Sequence, residues 1–197
     1  MKKIIPMLFI ALAFFTTNSF AQIQKGNVLV GADLANLKLN FGGGGQFSVN
    51  LHPKAAFFIQ DNVAIGGYVD LGLETAKGSG TTTNYGVGAL GRYYLNGSNV
   101  DLLKHGRLFF EGNVGISGLN YGPNGDKTTT NGLGLGIGPG YAYFITPNIG
   151  LETLVKYNGT VGFGSQAYSS GIGLNLGFQI YLPSKKAMAI AKGSLEK

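Results

Sequence analysis

The last part of the chain shows the clearest alternation of apolar and polar positions. From Gly171 to Leu182 every second residue is a large apolar one, and the residues between them are mostly small or polar. Because successive side chains of a β-strand point to opposite faces, this period of two predicts a strand with one apolar face. The apolar face carries Ile172, Leu174, Leu176, Phe178, Ile180 and Leu182.

Seven more segments alternate in the same way, which predicts eight strands in all. In the sixth, Leu133 to Ile145, apolar residues alternate mostly with glycine. The others lie within Val28–Leu34, Phe47–Ile59, Val63–Leu73, Tyr85–Leu95, Leu108–Ile116 and Ile149–Tyr157. A tilted strand needs about 10 residues to cross a bilayer, and most segments reach that length. The prediction is an all-β, eight-stranded antiparallel up-and-down transmembrane β-barrel.

Three places interrupt the strand pattern. After Leu34 the apolar residues of the first strand shift from even to odd positions, which predicts a bulge near Ala35–Asn36 or an extension beyond the membrane. Pro53 and Pro139 fall in mid-strand, where a proline removes a backbone donor from the ladder. We therefore expect a β-bulge at both prolines.

The two faces of the predicted strands differ in charge. No charged residue falls on the apolar faces, whereas the opposite faces carry Asp33, Lys54, Asp70, Glu74, Arg92, Arg107, Glu111, Glu152 and Lys156. A soluble barrel would turn its charges towards water, and eight strands enclose only enough room for side chains. The pattern indicates lipid outside and a polar, packed lumen in which the buried charges pair with one another.

An internal repeat supports the strand count. Gly26–Val28 recurs as Gly112–Val114, and the pattern of Pro53–Asn62 recurs in Pro139–Asn148, both at an offset of 86 residues. The chain therefore looks like two halves of four strands each. The fourth strands of the two halves agree only after a slip of one residue.

The connections alternate between the two sides of the predicted barrel. Gln60–Asn62 and Thr146–Asn148 have the composition of tight turns, which are typical of the periplasmic side. Residues 96–106 form a longer connection on the same side. The outer loops are predicted at Gly42–Gly45, Thr75–Thr81, Tyr121–Thr130 and Asn158–Ala167.

The first 21 residues have the layout of a secretory signal peptide. Met1–Lys3 is positively charged, Ile4–Phe15 is largely apolar, and a small-x-small site ends at Ala21, so cleavage is expected before Gln22. The apolar stretch is broken by a proline and is too short for a bilayer core that requires ~20 residues. The predicted organisation is a signal peptide (1–21), a barrel (22–182) and a short basic periplasmic tail (183–197).

Composition excludes several classes of function. The chain has no cysteine, so it can form neither disulfides nor thiolate metal sites. It has 34 glycines and only 12% charged residues, against a usual value of ~25%. The net charge of +6 falls to +4 without Lys2 and Lys3. Outside the tail the basic residues are scattered, so no nucleic-acid partner is expected.

Five segments carry a resemblance to a known family: Lys25–Gly31, Pro53–Ala64, Leu90–Tyr94, Leu108–Gly112 and Gly173–Phe178. They resemble the small outer-membrane β-barrel proteins, also described as the porin family, which are similar in form to outer-membrane proteins A and X. The final strand also looks like an outer-membrane assembly signal. The resemblance implies a membrane-embedded barrel with a mostly structural role. Many members end on an aromatic residue, whereas this chain continues for 15 residues past Leu182.

The lumenal charges are the main candidate site. Either they form a salt-bridged plug that rigidifies the barrel, or they line a gated path for water or ions. Ser48, His52 and Asp70 could be written as a hydrolytic set, but they would be buried inside the barrel. His52 with Asp70 or Glu74 offers too few ligands for a closed metal site. We therefore expect no enzyme activity, cofactor or metal.

The sequence leaves three functions open. The first is an integral outer-membrane barrel with a role in membrane integrity or surface interaction and a largely plugged lumen. The second is a narrow porin-like channel for water, ions or very small solutes, and the third is a soluble periplasmic barrel that binds an apolar ligand. For the first we expect a monomer with both termini in the periplasm. Its partners would be outer-membrane lipid and, during insertion, the barrel-assembly machinery.

Overall fold

The computed structural model describes residues 23–40, 46–76, 80–95, 106–122, 128–163 and 169–183. These residues form β1 (Val28–Asn40), β2 (Gln46–Gln60), β3 (Val63–Ala76), β4 (Gly80–Tyr94), β5 (Gly106–Gly122), β6 (Thr128–Thr146), β7 (Ile149–Gly162) and β8 (Ser169–Leu182). Each strand pairs with the next in antiparallel fashion, and β8 pairs with β1, which closes the barrel. Helices long and apolar enough to cross a bilayer do not occur among the described residues. The predicted eight-stranded up-and-down barrel is confirmed.

The two ends of the chain are not part of this description. The predicted signal peptide, with its cleavage site between Ala21 and Gln22, and the basic tail after Pro183 lie outside the described residues. The boundaries proposed for them stay predictions.

Side chains alternate between the outer surface and the lumen in the predicted phase. On β8, Ile172, Leu174 and Phe178 are exposed on the outside, while Asn175 and Gln179 are buried. The other strands alternate in the same phase, so large apolar side chains form the outer surface, while the lumen takes the charged and most other polar side chains together with a buried apolar group such as Phe58 and Phe109. This is the reverse of a soluble barrel.

The change of phase in the first strand is a bulge, the first of the two predicted alternatives. β1 pairs with β2 in one register up to Ala35↔Asn50 and resumes at Lys38↔Ser48. Three steps along β1 thus correspond to two along β2. One extra residue is accommodated in β1 at this point.

The predicted bulges at Pro53 and Pro139 are wrong. The β2–β3 pairs before and after Pro53 keep a single register, and so do the β6–β7 pairs around Pro139. On their other sides the pairs Ala32↔Pro53 and Phe110↔Pro139 are intact. Each proline therefore interrupts one ladder, towards β3 or β7, where its missing N–H would have donated. No residue is inserted.

The two halves do share a bulge, but it lies beside the tight turns. The register shifts between Phe58 and Gln60 in β2 and between Phe144 and Thr146 in β6. These positions are related by the same offset of 86 residues as the sequence repeat. The repeat therefore extends to the backbone geometry.

Hydrogen bonds at the two tight turns show which residues of the fourth strand correspond in the two halves. The turns are at Asp61–Asn62 and Pro147–Asn148. The backbone N–H of Tyr94 donates to the carbonyl of Asn62 at 2.8 Å, and that of Tyr181 donates to the carbonyl of Asn148 at 2.7 Å. The two tyrosines are 87 residues apart, so the slip of one residue is confirmed in the structure.

Strands take up part of three of the four predicted outer loops, which corrects their boundaries, while Gly42–Gly45 lies outside the described residues. β3 and β4 continue to pair as far as Ala76↔Gly80. β5 and β6 pair as far as Tyr121↔Thr128. The threonines in these segments are good strand formers, so the ladders extend beyond the apolar stretch.

The ladder that closes the barrel is shorter than the strands that form it. Within the described residues it ends at the pair Ala35↔Asn175. β1 nevertheless continues to Asn40, and β8 begins at Ser169. The part of the wall between β1 after Ala35 and β8 before Asn175 is called the seam below.

Candidate functional site

The lumen has three levels, beginning at the end of the barrel with the tight turns. The first is the aromatic plug: Phe58, Tyr94, Phe109, Phe144 and Tyr181. The second is the charge layer: Asp33, Lys54, Arg92, Glu111, Glu152 and Lys156. The third is a cavity of about 220 Å³, called the vestibule. The vestibule lies on the side of the charge layer away from the turns.

The aromatic plug fills the lumen at the turn end. The rings of Tyr94 and Phe109 lie 5.5 Å apart between centroids, and those of Phe144 and Tyr181 lie 5.1 Å apart. Phe58 contacts both tyrosine rings, at 5.8 and 6.4 Å. Both tyrosines are 0% exposed. These distances are those of aromatic rings packed against one another.

Glu111 is the centre of the charge layer. Its Oε2 accepts from Lys54 Nζ at 2.9 Å and from Arg92 Nη2 at 2.6 Å, while its Oε1 accepts from Lys156 Nζ at 2.9 Å. The three cations come from β2, β4 and β7, and Glu111 itself comes from β5. Arg92 and Glu111 are each 2% exposed. One buried carboxylate therefore joins four strands across the lumen.

Two further carboxylates complete the charge layer. Asp33 Oδ2 lies 2.6 Å from Lys54 Nζ. Both oxygens of Glu152 accept from Arg92 Nη1 at 2.8 Å, and Tyr181 donates its hydroxyl to Glu152 Oε1 at 2.6 Å. Three acids and three bases give the layer a formal charge of zero. This balance is what permits ions in a low-dielectric interior.

Arg92 links the charge layer to the aromatic plug. Its Nη1 donates to the hydroxyl of Tyr94 at 2.9 Å, and its guanidinium carbon lies 4.1 Å from the ring centroid of Phe109. A planar cation can donate hydrogen bonds in its plane and stack on a ring with its face. The two levels therefore form one connected unit.

Glycines make room for the charged side chains. Gly31 lies opposite Lys54, Gly138 opposite Glu111, and Gly177 between Asp33 and Glu152 in the strand register. A Cβ at Gly177 would overlap Asp33 Oδ1. Small residues beside large ones let eight strands close around six long charged side chains.

The vestibule is lined mainly by polar side chains, and the charge layer contributes to its floor. Its lining includes amides, hydroxyls and one imidazole: Asn50, His52, Asn113, Ser117, Asn158, Thr160 and Asn175. Lys54, Lys156, Asp33 and Glu111 also reach it from the charge layer. The space suits a small polar group rather than an apolar one.

The other three predicted lumenal charges lie outside the charge layer. Asp70 makes a close hydrogen-bond contact with the His52 ring in the wall of the vestibule. Glu74 is half-buried farther from the turns, and Arg107 is buried near the turn end of β5. Of the nine predicted residues, the structure brings six into one network and distributes the other three along the barrel.

The hydrolytic set considered from the sequence is not assembled. His52 contacts Asp70, but Ser48 lies four residues from His52 along β2. At about 3.3 Å per residue this separates them by roughly 13 Å, beyond hydrogen-bond reach. Among the described residues there is also no group of three or more His, Asp or Glu side chains placed to hold a metal ion.

The sequence places Gln179 and Tyr181 on the inward face but does not show what they bind, and it gives no role to Tyr94. Tyr94 and Tyr181 hold Arg92 and Glu152, and Gln179 donates to Asp33 Oδ1 at 2.7 Å. The sequence does contain a signal for the two tyrosines. Each tyrosine is two residues from an inward polar residue on its own strand, and it must share that residue's face.

Comparison with known proteins gives a clear result for the fold. No protein-family model matches the sequence, and no curated protein matches it. Neisserial surface protein A matches in structure with a TM-score of 0.58 and 18% identity, over 80% of this chain and 98% of that one. The N-terminal β-barrel domain of OprF from Pseudomonas aeruginosa matches with a TM-score of 0.52 and 13% identity, over 79% and 98%. The chain has the fold of the small outer-membrane β-barrels.

The outer surface of this barrel fits that fold's position in lipid. Phe57, Val87 and Ile137 are each more than 60% exposed, and they lie on β2, β4 and β6. Water-soluble proteins rarely expose contiguous apolar surface on this scale. The fold and the surface are those of an outer-membrane protein.

Proposed function

We propose that the protein is an integral outer-membrane barrel that acts through its surface, in membrane integrity or in contacts with other molecules, and not by passing solutes or by catalysis. The observation that carries the proposal is the closure of the lumen. The aromatic plug and the charge layer are connected through Arg92, and their central side chains are almost completely buried. A pore would require a wet path through both levels.

The architecture of the charge layer supports a structural role. Its contacts cross the lumen between strands that are not neighbours, for example Lys54 on β2 with Glu111 on β5. Such contacts resist changes in the barrel's cross-section. A lumen of this kind stabilises a platform whose outer parts meet lipid and the medium.

Aromatic residues on the lipid side support a defined position in the membrane. Phe57, Tyr93, Phe110 and Tyr143 are all exposed within a few residues of the turn end. Amphipathic rings favour the membrane–water interface, where they anchor a barrel at a fixed depth.

Planar-bilayer recording of the refolded protein tests the closed lumen. We expect no unitary conductance steps from the parent protein, even when its insertion is verified by heat-modifiable migration on gels. A variant with Tyr94, Phe109 and Tyr181 changed to Ala, together with Arg92→Ala and Glu111→Ala, opens both the plug and the charge layer and should conduct. It serves as the positive control for detection.

A channel function predicts the opposite result. Reproducible steps from the parent protein that disappear when Arg92 or Glu111 is changed would show a path through the charge layer. That outcome overturns the proposal in favour of a narrow channel for water, ions or very small solutes.

A further inference from the structure

The seam opens at a depth where the barrel should still be surrounded by hydrocarbon. On β8 the outward residues are apolar from Leu182 back to Ile172. A tilted strand of this length spans about 25 Å, the height of the apolar band of such barrels. The β1–β8 ladder nevertheless ends at Asn175, inside this span. Among the described residues, β1 and β8 form no ladder pairs beyond that point, and unpaired backbone groups are costly in lipid.

The vestibule adjoins the seam. Its lining includes Asp33 and Ala35 from β1 and Gly173 and Asn175 from β8. Ala35 and Asn175 form the last pair of the ladder, Asp33 lies two residues before it on β1, and Gly173 lies two residues beyond it on β8. The polar cavity and the gap in the wall are therefore two parts of one continuous feature.

The size of the vestibule limits what it can hold. Its volume is about 220 Å³. At ~30 Å³ per water this is room for about seven waters, and it falls below the ~300 Å³ at which sites for whole small-molecule ligands begin. A polar head group fits inside, whereas an attached alkyl chain does not.

The outer surface beside the seam offers a place for such a chain. Ile172 is 78% exposed, the highest value among the large hydrophobic residues that the structure describes. Leu174 on β8 is also exposed, and so is Leu34 on β1, one residue before the last ladder pair. A chain that leaves the vestibule through the seam would lie on these residues, in contact with lipid.

The charges of the vestibule select against a head group of large net charge. Asp33, Asp70 and Glu111 are set against Lys54 and Lys156, with His52 beside Asp70. Amides and hydroxyls make up most of the remaining polar lining. A zwitterionic head group matches such a balanced surface.

We propose that the vestibule and the seam together form a binding site for a single-chain zwitterionic amphiphile, with the head group in the vestibule and the alkyl chain passing between β1 and β8 onto Ile172 and Leu174. The head group supplies hydrogen bonds to the open backbone of the seam. This site goes beyond the proposed surface role and does not depend on it, because binding from the side requires no path through the lumen.

The test uses tryptophan quenching, since the chain has no tryptophan of its own. Ile172→Trp places a reporter at the seam, and Val87→Trp places one on the opposite wall. Each protein is reconstituted in phosphatidylcholine nanodiscs and titrated with a brominated lysophosphatidylcholine. We expect quenching at the seam reporter that saturates near one amphiphile per barrel. The control reporter should show only a gradual, non-saturating loss of fluorescence.

Two matched substitutions locate the site. Gly173→Phe fills the vestibule at the seam, where a Cβ has only contacts of 3.8 Å. It should remove the saturable component. Gly91→Phe makes the same change on the lipid side of β4, where a Cβ meets nothing within 4 Å, and should leave it intact. If Gly173→Phe does not refold, Asn175→Leu tests the same head-group site.

Three results would overturn the proposal. The first is identical, non-saturating quenching at both reporters. The second is saturable quenching that survives Gly173→Phe and Asn175→Leu. The third is a dimer in which Ile172→Trp is shielded from the amphiphile, which would assign the seam to a second copy of the chain.

Discussion

The hydroxyl groups of Tyr94 and Tyr181 lie 2.9 Å apart in the lumen, although their strands are on opposite sides of the barrel. Tyr181 donates to Glu152, so its oxygen is free to accept from Tyr94, whose own oxygen accepts from Arg92. The two residues occupy matching places in the two halves of the chain. A single chain of hydrogen bonds thus joins the halves across the lumen.

The order of these bonds predicts unequal effects of removing the two hydroxyls. Tyr181→Phe deprives a buried carboxylate of a donor and should reduce the free energy of unfolding by about 1.5–3 kcal/mol. Tyr94→Phe leaves Arg92 bonded to Glu152 and should cost about 1 kcal/mol. Urea unfolding in lipid vesicles measures both. Equal losses, or a larger loss for Tyr94→Phe, would contradict this order of donors.

Removing the charge of Glu111 should be the most damaging single change in the charge layer. Glu111→Gln leaves Lys54, Arg92 and Lys156 facing only two carboxylates, so we expect a loss of about 3–5 kcal/mol in unfolding free energy. Adding Lys156→Met restores the balance of charges with a side chain of similar length. The double variant should be more stable than Glu111→Gln alone, and a further loss would argue against charge balance as the cause.

The strand glycines should differ sharply in their tolerance of a methyl group. At Gly138 a Cβ would overlap the carbonyl oxygen of Val155, which is backbone and cannot turn away. Gly138→Ala should therefore destabilise the barrel by more than about 1 kcal/mol, a size typical of overpacking. Gly91→Ala is the control, because nothing lies within 4 Å of its Cβ. It should be neutral or slightly stabilising, and a similar loss at both positions would show that the effect is not steric.

The depth of the barrel in lipid can be mapped with single arginines. Val87 is 62% exposed near the middle of β4, and Phe163 is 61% exposed just beyond the end of β7. Val87→Arg should cost about 2–4 kcal/mol and Phe163→Arg about 0–1 kcal/mol, since the penalty falls towards the interface. Unfolding titrations in vesicles supply the comparison. A larger loss for Phe163→Arg than for Val87→Arg would mean that the hydrocarbon core surrounds the end of β7 and not the middle of β4.

The features that could be predicted from the sequence are those that depend on one strand at a time. Alternation placed Ile172 outside and Glu111 inside, and a change of phase located the bulge after Ala35. The bulge expected at Pro53 was wrong because a proline can leave a ladder bond unmade without shifting the register. The residues around a proline do not show whether it causes a bulge or only leaves one ladder bond unmade.

The features that escaped prediction depend on how distant strands meet. The plug rings of Tyr94 and Phe109 lie on the inward face, where the alternation predicts small or polar residues and gives no sign of an aromatic cluster. The seam depends on the register between the first and last strands, which sequence spacing does not specify. The charged residues were identified, but their grouping around Glu111 follows from contacts across the lumen.

The arrangement of the charge layer also constrains how the barrel enters the membrane. Lys54, Glu111 and Lys156 find one another only when β2, β5 and β7 are already in their final places. A partly inserted sheet would bring unpaired ions into hydrocarbon, at a high energetic cost. Insertion strand by strand is therefore disfavoured, and we expect the strands to enter together, with water leaving the lumen only as the last pair joins.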